Sequence, residues 1–104
     1  MDDRTVCEAL APEKDVDGIT SGSMAGVFMG TDMGFPPCTA EACMEILRYY
    51  DVDPAGKKVT VMGRSLVIGR PVAMMAMQAG ATVTICHSGT GTDDFALAGR
   101  DADI

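Results

Sequence analysis

The stretch from Lys57 to Cys86 constrains this chain most. Within Lys57–Met62, Val59 and Val61 alternate with Lys58 and Thr60, the period-two pattern of a short strand entering a core. Gly63-Arg64-Ser65 breaks that strand and Gly69 follows. Pro71 suits the first turn of a helix, because the N–H it lacks would be unpaired there anyway. From Val72 to Ala79 the residues are apolar nearly all round, as expected of a helix packed on a sheet, and Gly80 provides the stop. Ala81–Cys86 then sets Val83 and Ile85 against Thr82 and Thr84. Strand, glycine turn, helix and strand at this spacing predict a βαβ unit, with parallel strands and a right-handed crossover. A parallel sheet wants helices on both faces, and those predicted at 40–50 and 71–79 are the candidates.

The flanks carry weaker signals. Residues 1–10 form a short predicted helix, with Val6, Cys7 and Leu10 on one side and Pro12 ending it. Residues 14–37 are rich in Gly, Ser, Met and Asp, with little helix or strand signal before Met24–Met29, and read as a long loop. After Pro36-Pro37 the pattern sharpens. Thr39 is a good N-cap, Glu41 suits the first turn, and Ala42, Cys43, Ile46, Leu47 and Tyr50 mark one face of a helix over 40–50. Thr92, Asp93 and Asp94 open a last helix through Phe95 and Ala98, and Asp101–Ile104 reads as the lead into a third strand.

Composition narrows the function classes. A net charge of −7 disfavours general attraction to nucleic acid or an anionic membrane. No apolar run approaches the roughly 20 residues of a membrane helix, and Asp2-Asp3 after Met1 is unlike a leader, so a cytoplasmic protein is expected. Lys57, Lys58, Arg64 and Arg70 gather half of the 8 Lys and Arg within one short window. That excess reads first as ordinary surface charge and could also face a phosphate. Cys7, Cys38, Cys43 and Cys86 form no C-x-x-C pair, and His87 has no partner at metal-ligand spacing. Reduced, mostly buried thiols and no metal site are expected, with neither a redox motif nor a clear nucleophile.

In open α/β sheets ligands lie beyond the carboxyl ends of the strands. Here those ends are Gly63-Arg64-Ser65 and His87-Ser88. The first turn, G-R-S-L-V-I-G-R-P, is not the G-x-G-x-x-G fingerprint. Its helix-start N–H groups could hold an anion, or it could be a plain βα connection. The second strand end lacks the acidic residue that binds a ribose 2′-hydroxyl in NAD sites, and offers His87, Ser88 and Thr90 with Arg64 near by. An arginine and a hydroxyl suit a 2′-phosphate, so if a dinucleotide binds, NADP is favoured.

P-E-K-D-V-D-G at 12–18, P-C-T at 37–39, G-K-K-V at 56–59, G-R-S-L-V-I-G-R-P at 63–71 and A-T-V-T-I-C-H-S at 81–88 occur in this order. Together they resemble the bifunctional methylenetetrahydrofolate dehydrogenase/methenyltetrahydrofolate cyclohydrolase family, over residues 9–104. The resemblance implies a folate bound between two α/β domains, hydride transfer to NADP, hydrolysis to 10-formyltetrahydrofolate, and a homodimer for the full-length enzyme. It assigns Asp17 to the pterin ring, and Gly63, Arg64, Ser65, Gly69, His87 and Ser88 to the cofactor, His87 more as a shaper of the strand end. Gly22-Ser23-Met24 stands where many relatives carry an Asn. The family's tyrosine–lysine pair and its P-G-G-V-G-P-M-T segment have no match, so a partial chain without activity of its own is expected. The fold expected is thus a truncated Rossmann-like parallel βαβ unit preceded by the tail of an α/β folate-binding catalytic domain. Residues 1–37 would be that tail, 38–54 a linking helix, and 55–104 the start of the NADP-binding unit. A non-catalytic nucleotide-binding or regulatory module on the same scaffold is the alternative.

Overall fold

The computed structural model describes residues 2–104. Its centre is the βαβ unit: β1 (Lys58–Met62) and β2 (Thr82–Cys86) pair in parallel, from Lys58 opposite Thr82 to Met62 opposite Cys86. Helix α4 (Gly69–Gln78) makes the crossover, beginning two residues before the predicted 71–79 because Ser65 organises its start. The Ser65 hydroxyl accepts the Ile68 and Gly69 N–H groups at 3.1 and 3.2 Å, and its carbonyl accepts the Arg70 N–H at 3.0 Å. Gly69 is required there, since a Cβ would collide with the Gly63 carbonyl. At the other end Gly80 donates to the Met77 carbonyl at 2.9 Å and Ala81 to that of Ala76 at 3.1 Å, the paired bonds of a Schellman stop. Ala73 and Ala76 are buried in α4, which packs on both strands.

The second face of the sheet is covered by α5 (Thr92–Asp101), not by the helix at 40–50. Thr60 donates its hydroxyl to the Ala98 carbonyl at 3.0 Å, which fixes α5 on the face that Thr60 and Met62 share. Buried Val59 alternates to the face of α4. Helix α3 (Cys38–Tyr49) packs against α4 instead.

Backbone groups of alternate residues point to opposite edges of a strand. Lys57 O and Gly63 N–H meet β2, whereas Lys58 O accepts the Asp103 N–H at 2.8 Å and Thr60 N–H donates to the Ile104 carbonyl at 2.9 Å. The lead of a third strand therefore lies along β1 on the side away from β2. The chain leaves β1 toward β2 and comes back past it, so the crossovers run in opposite senses from β1. The carboxyl end of β1 is the place where they part.

Ahead of this unit lie α1 (Asp3–Ala9), a 3-10 turn (Pro12–Lys14) and α2 (Ser21–Met29). Residue 1 of the predicted 1–10 helix falls outside the described residues, and Val6 and Leu10 on its apolar side are exposed. The expected loop over 14–37 is corrected by α2. Weak helix formers fill its first turn, but Thr20 caps it by accepting the Ser23 N–H at 3.1 Å.

Three details of α3 and the thiols also differ from expectation. Pro37, not Thr39, is the N-cap residue, and no side chain caps the helix. The inward stripe is Ala40, Cys43, Met44 and Leu47, while Ala42, Ile46 (57% exposed) and Tyr50 (70% exposed) look outward. Two apolar stripes compete on this helix, and α4 takes the one with the small Ala40. Of the four cysteines only Cys86 is buried; Cys7 and Cys43 are half-buried and Cys38 is exposed. Among the described residues no helix is long and apolar enough to cross a membrane.

Candidate functional site

The register of β1 and β2 brings their carboxyl ends side by side, with the Gly63 N–H bonded to the Cys86 carbonyl at 2.8 Å. Arg64, directly after Gly63, and Ser88, two residues after Cys86, are exposed at these neighbouring tips, with no hydrogen bond between them among the described residues. Ser65 is exposed but engages its hydroxyl with the start of α4, and this corrects one expectation. The N–H groups of Ile68, Gly69 and Arg70 are already accepted by Ser65, so the start of α4 does not offer them to an anion. An anion at this turn would be met by Arg64 and the backbone ahead of Ile68. Arg70 braces the turn from below, donating Nε–H to the Arg64 carbonyl at 2.9 Å.

The tip of β2 is a closed turn. His87 N–H donates to the Thr90 hydroxyl at 2.9 Å, Thr90 N–H returns to the His87 carbonyl at 2.9 Å, and Gly89 N–H donates to His87 Nδ1 at 3.0 Å. An Nδ1 that accepts a hydrogen bond puts the ring proton of the neutral imidazole on Nε2. His87 thus shapes the tip on which Ser88 stands. No carboxylate belongs to that turn. The next acids along the chain, Asp93 and Asp94, sit in the first turn of α5, where the helix dipole favours them.

Asp17 is exposed, and its carboxylate accepts a long hydrogen bond, 3.8 Å, from the Cys38 thiol. It lines a cleft of about 230 Å³ with Ile19, Pro37, Cys38, Thr39, Val67 and Ile68. Val67 and Ile68 belong to the turn that begins at Gly63, so Asp17 and the βα turn share one cleft. Gly18 permits this: its φ is +66°, and a Cβ there would press into the backbone of Phe35–Pro37.

Sequence reasoning missed Asp15. It is fully buried (0% exposed) and accepts the Ile19 and Thr20 N–H groups at 3.0 and 2.8 Å, while the Gly18 N–H meets its own carbonyl at 3.1 Å. Burial alone would raise its pKa, but the N–H groups of Thr20 and Ile19 and the hydroxyls of Thr20 and Ser23 outweigh it, holding it at about 2. Asp15 therefore stays ionised and ties off the turn that presents Asp17. The available signal was an Asp three residues before a Gly and five before a capping Thr.

The family model described as "Tetrahydrofolate dehydrogenase/cyclohydrolase, NAD(P)-binding domain" matches residues 37–104, well over half of the chain. The chain belongs to this family. It is 49% identical over all 104 residues to the bifunctional protein FolD of Carboxydothermus hydrogenoformans, of which it covers 36%. It is 50% identical over 90 residues, 86% of the chain, to the same-named protein of Clostridioides difficile, covering 31% of it. Two solved structures share its shape. One is the 5,10-methylenetetrahydrofolate dehydrogenase of the silkworm Bombyx mori, with a TM-score of 0.93 at 37% identity, over 99% of this chain and 38% of that one. The other is the dehydrogenase-cyclohydrolase of Trypanosoma brucei, whose structure is described as complexed with NADP cofactor and inhibitor. Its TM-score is 0.91 at 36% identity, over 99% of this chain and 35% of that one. The chain spans about a third of the length of the curated relatives it matches. A truncated Rossmann-like α/β unit is the fold of this family member.

Proposed function

We propose that these 104 residues are the folate- and NADP-contacting middle of a bifunctional enzyme of one-carbon metabolism. That enzyme would oxidise 5,10-methylenetetrahydrofolate to the methenyl compound and hydrolyse this to 10-formyltetrahydrofolate. The observation that carries the reading is the shared cleft, with Asp17 on one wall and the turn after β1 on the other. An ionised carboxylate can accept two hydrogen bonds from an amino-pyrimidine edge, which is the role proposed for Asp17. Arg64 and Ser88 would take a ribose 2′-phosphate by charge-assisted bonds, at a strand tip whose turn has no acid to repel it. Gly63 and Gly69 keep side chains out of the turn where a cofactor backbone would run, Ser65 holds the start of α4, and His87 holds the turn of Ser88. Bound NADP would supply the hydride acceptor.

In this reading residues 1–37 are the C-terminal part of the folate/catalytic domain, 38–54 the linking helix and 55–104 the N-terminal part of the cofactor unit. The NADP named for the Trypanosoma brucei relative supports the choice of cofactor. These residues hold no match to the family's tyrosine–lysine pair, so turnover would belong to the longer protein, a homodimer in the cytoplasm. The test is to graft residues 1–104 in place of the matching residues of the Carboxydothermus hydrogenoformans relative. The chimera should reduce NADP with methylenetetrahydrofolate, and Asp17→Ala should abolish this without unfolding it. A folded chimera that binds neither folate nor NADP would refute the proposal and favour a module that has lost the chemistry.

A further inference from the structure

Arg70 holds two successive peptides of the turn after β1. Its backbone N–H donates to the Ser65 carbonyl at 3.0 Å, and its Nε–H to the Arg64 carbonyl at 2.9 Å. In a planar trans peptide the C=O and the following N–H point in opposite directions. Drawing the Arg64 and Ser65 carbonyls toward α4 therefore turns the Ser65 and Leu66 N–H groups away from it. No acceptor among the described residues takes either N–H. Two adjacent outward N–H groups attract an anion, whereas the two carbonyls would repel one. The Ser65 N–H also adjoins Arg64, the exposed cation at the tip of β1. The two peptides are secured differently. The Ser65 carbonyl is held by backbone, but the Arg64 carbonyl is held only by a side chain. That bond is the sole one the Arg70 guanidinium makes among the described residues, and it has no ion pair there.

We propose that Arg70 is a positioning residue for a phosphate of the dinucleotide: by holding the Arg64 carbonyl it presents the Ser65 N–H to that phosphate, beside the Arg64 guanidinium. This rests on the NADP reading above and extends it, because the phosphate gains a backbone donor whose direction is set from α4. Arg70 does not itself touch the cofactor. Its contribution comes from the place of its Nε–H and not from its charge, which separates its role from that of Arg64. Without the side-chain bond the Arg64–Ser65 peptide is released, and part of the population turns a carbonyl toward the anion.

Substitutions at Arg70 separate donor from charge. Arg70→Gln places an amide nitrogen where arginine has Nε and removes the charge. Arg70→Lys keeps the charge but places a methylene there, and Arg70→Met has neither. The side chain is exposed, so each variant should fold. In calorimetric titration of the 104-residue chain with NADP, Arg70→Gln should bind as tightly as the parent. Arg70→Lys and Arg70→Met should bind about tenfold more weakly, the low end for a hydrogen bond to a charged group because the turn is exposed. NAD titrated in parallel identifies the phosphate: a loss confined to NADP assigns the Ser65 N–H to the 2′-phosphate, and an equal loss for NAD assigns it to the pyrophosphate. Amide NMR of the parent needs no variant, and NADP should shift the Ser65 resonance. Arg70→Lys should reduce that shift while leaving the response of Leu66, whose peptide the backbone bond still holds. Binding that follows charge, with Arg70→Lys like the parent and Arg70→Gln like Arg70→Met, would overturn the proposal. Equal affinities across the variants, or a Ser65 amide that NADP leaves unmoved, would do the same. If such a result comes with a preference for NADP that Arg64→Ala erases, the cofactor reading stands and only the role of Arg70 falls. A folded parent that binds no NADP removes both.

Discussion

Replacing Asp15 by asparagine probes the contact that fixes the turn carrying Asp17. The carboxylate has an acceptor for each of two backbone donors, Ile19 N–H at 3.0 Å and Thr20 N–H at 2.8 Å. An asparagine offers one carbonyl oxygen and turns an NH₂ group toward the other donor. One backbone N–H in a sealed site is then left unsatisfied, which costs about 1–3 kcal/mol. Linkage expresses the same contacts as a pH-dependent figure. A pKa held at about 2 instead of 3.8 corresponds to roughly 2.4 kcal/mol at 1.36 kcal/mol per unit. Asp15 is sealed from water but lies close to the surface of a small chain, so about 1–2 kcal/mol is the better value. Because the folded-state pKa is depressed, this stabilisation is fully present above pH 4 and is lost as the pH falls from about 4 to 2. Thermal unfolding followed by circular dichroism should therefore show Asp15→Asn melting roughly 5–15 °C below the parent at pH 7, using about 4–8 °C per kcal/mol for a chain this size. The gap should narrow as the pH falls through that window. Equal midpoints at pH 7, or a gap that stays constant down to pH 2, would refute the role given to Asp15.

Two further substitutions test the local geometry. Ser65→Ala removes the hydroxyl that accepts the Ile68 and Gly69 N–H groups, and should cost about 1 kcal/mol by urea unfolding; a midpoint unchanged within error would show that α4 starts without it. Gly18→Ala forces a Cβ into the Phe35–Pro37 backbone at φ +66°. It should destabilise by about 1–3 kcal/mol and change the cleft, seen as altered amide shifts at Asp17 and Cys38, whereas an unchanged spectrum would contradict the assigned turn.

The βαβ unit was legible because each of its boundaries carries its own chemistry. Val59 and Val61 alternate with polar residues, Pro71 and Gly80 punctuate the helix, and Ser65 and Gly69 lie where the turn needs a cap and an open approach. The choice of face on α3 was not legible, since Ala42, Ile46 and Tyr50 make as good a stripe as Cys43, Met44 and Leu47, and only the position of α4 selects between them. Helix α2 escaped because its residues favour a helix weakly by themselves, and Thr20 and buried Asp15 supply what propensity does not. The side of β1 on which Asp103 and Ile104 lie depends on pairing across more than 40 residues, which no local pattern encodes. Of the candidate site, Asp17 and the βα turn came from motifs. Their meeting in one cleft came from the fold, as did the finding that Ser65 faces the helix start rather than the open turn.

The central claim is that the tips of β1 and β2 make a site for a dinucleotide bearing a 2′-phosphate. Calorimetric titration of the chain with NADP and with NAD, for the parent and for Arg64→Ala, tests it most directly. NADP should bind at least about tenfold more tightly than NAD, a difference of about 1.4 kcal/mol, and Arg64→Ala should erase that preference while the affinity for NAD changes little. Equal affinities for the two dinucleotides, unaffected by the loss of Arg64, would contradict the account.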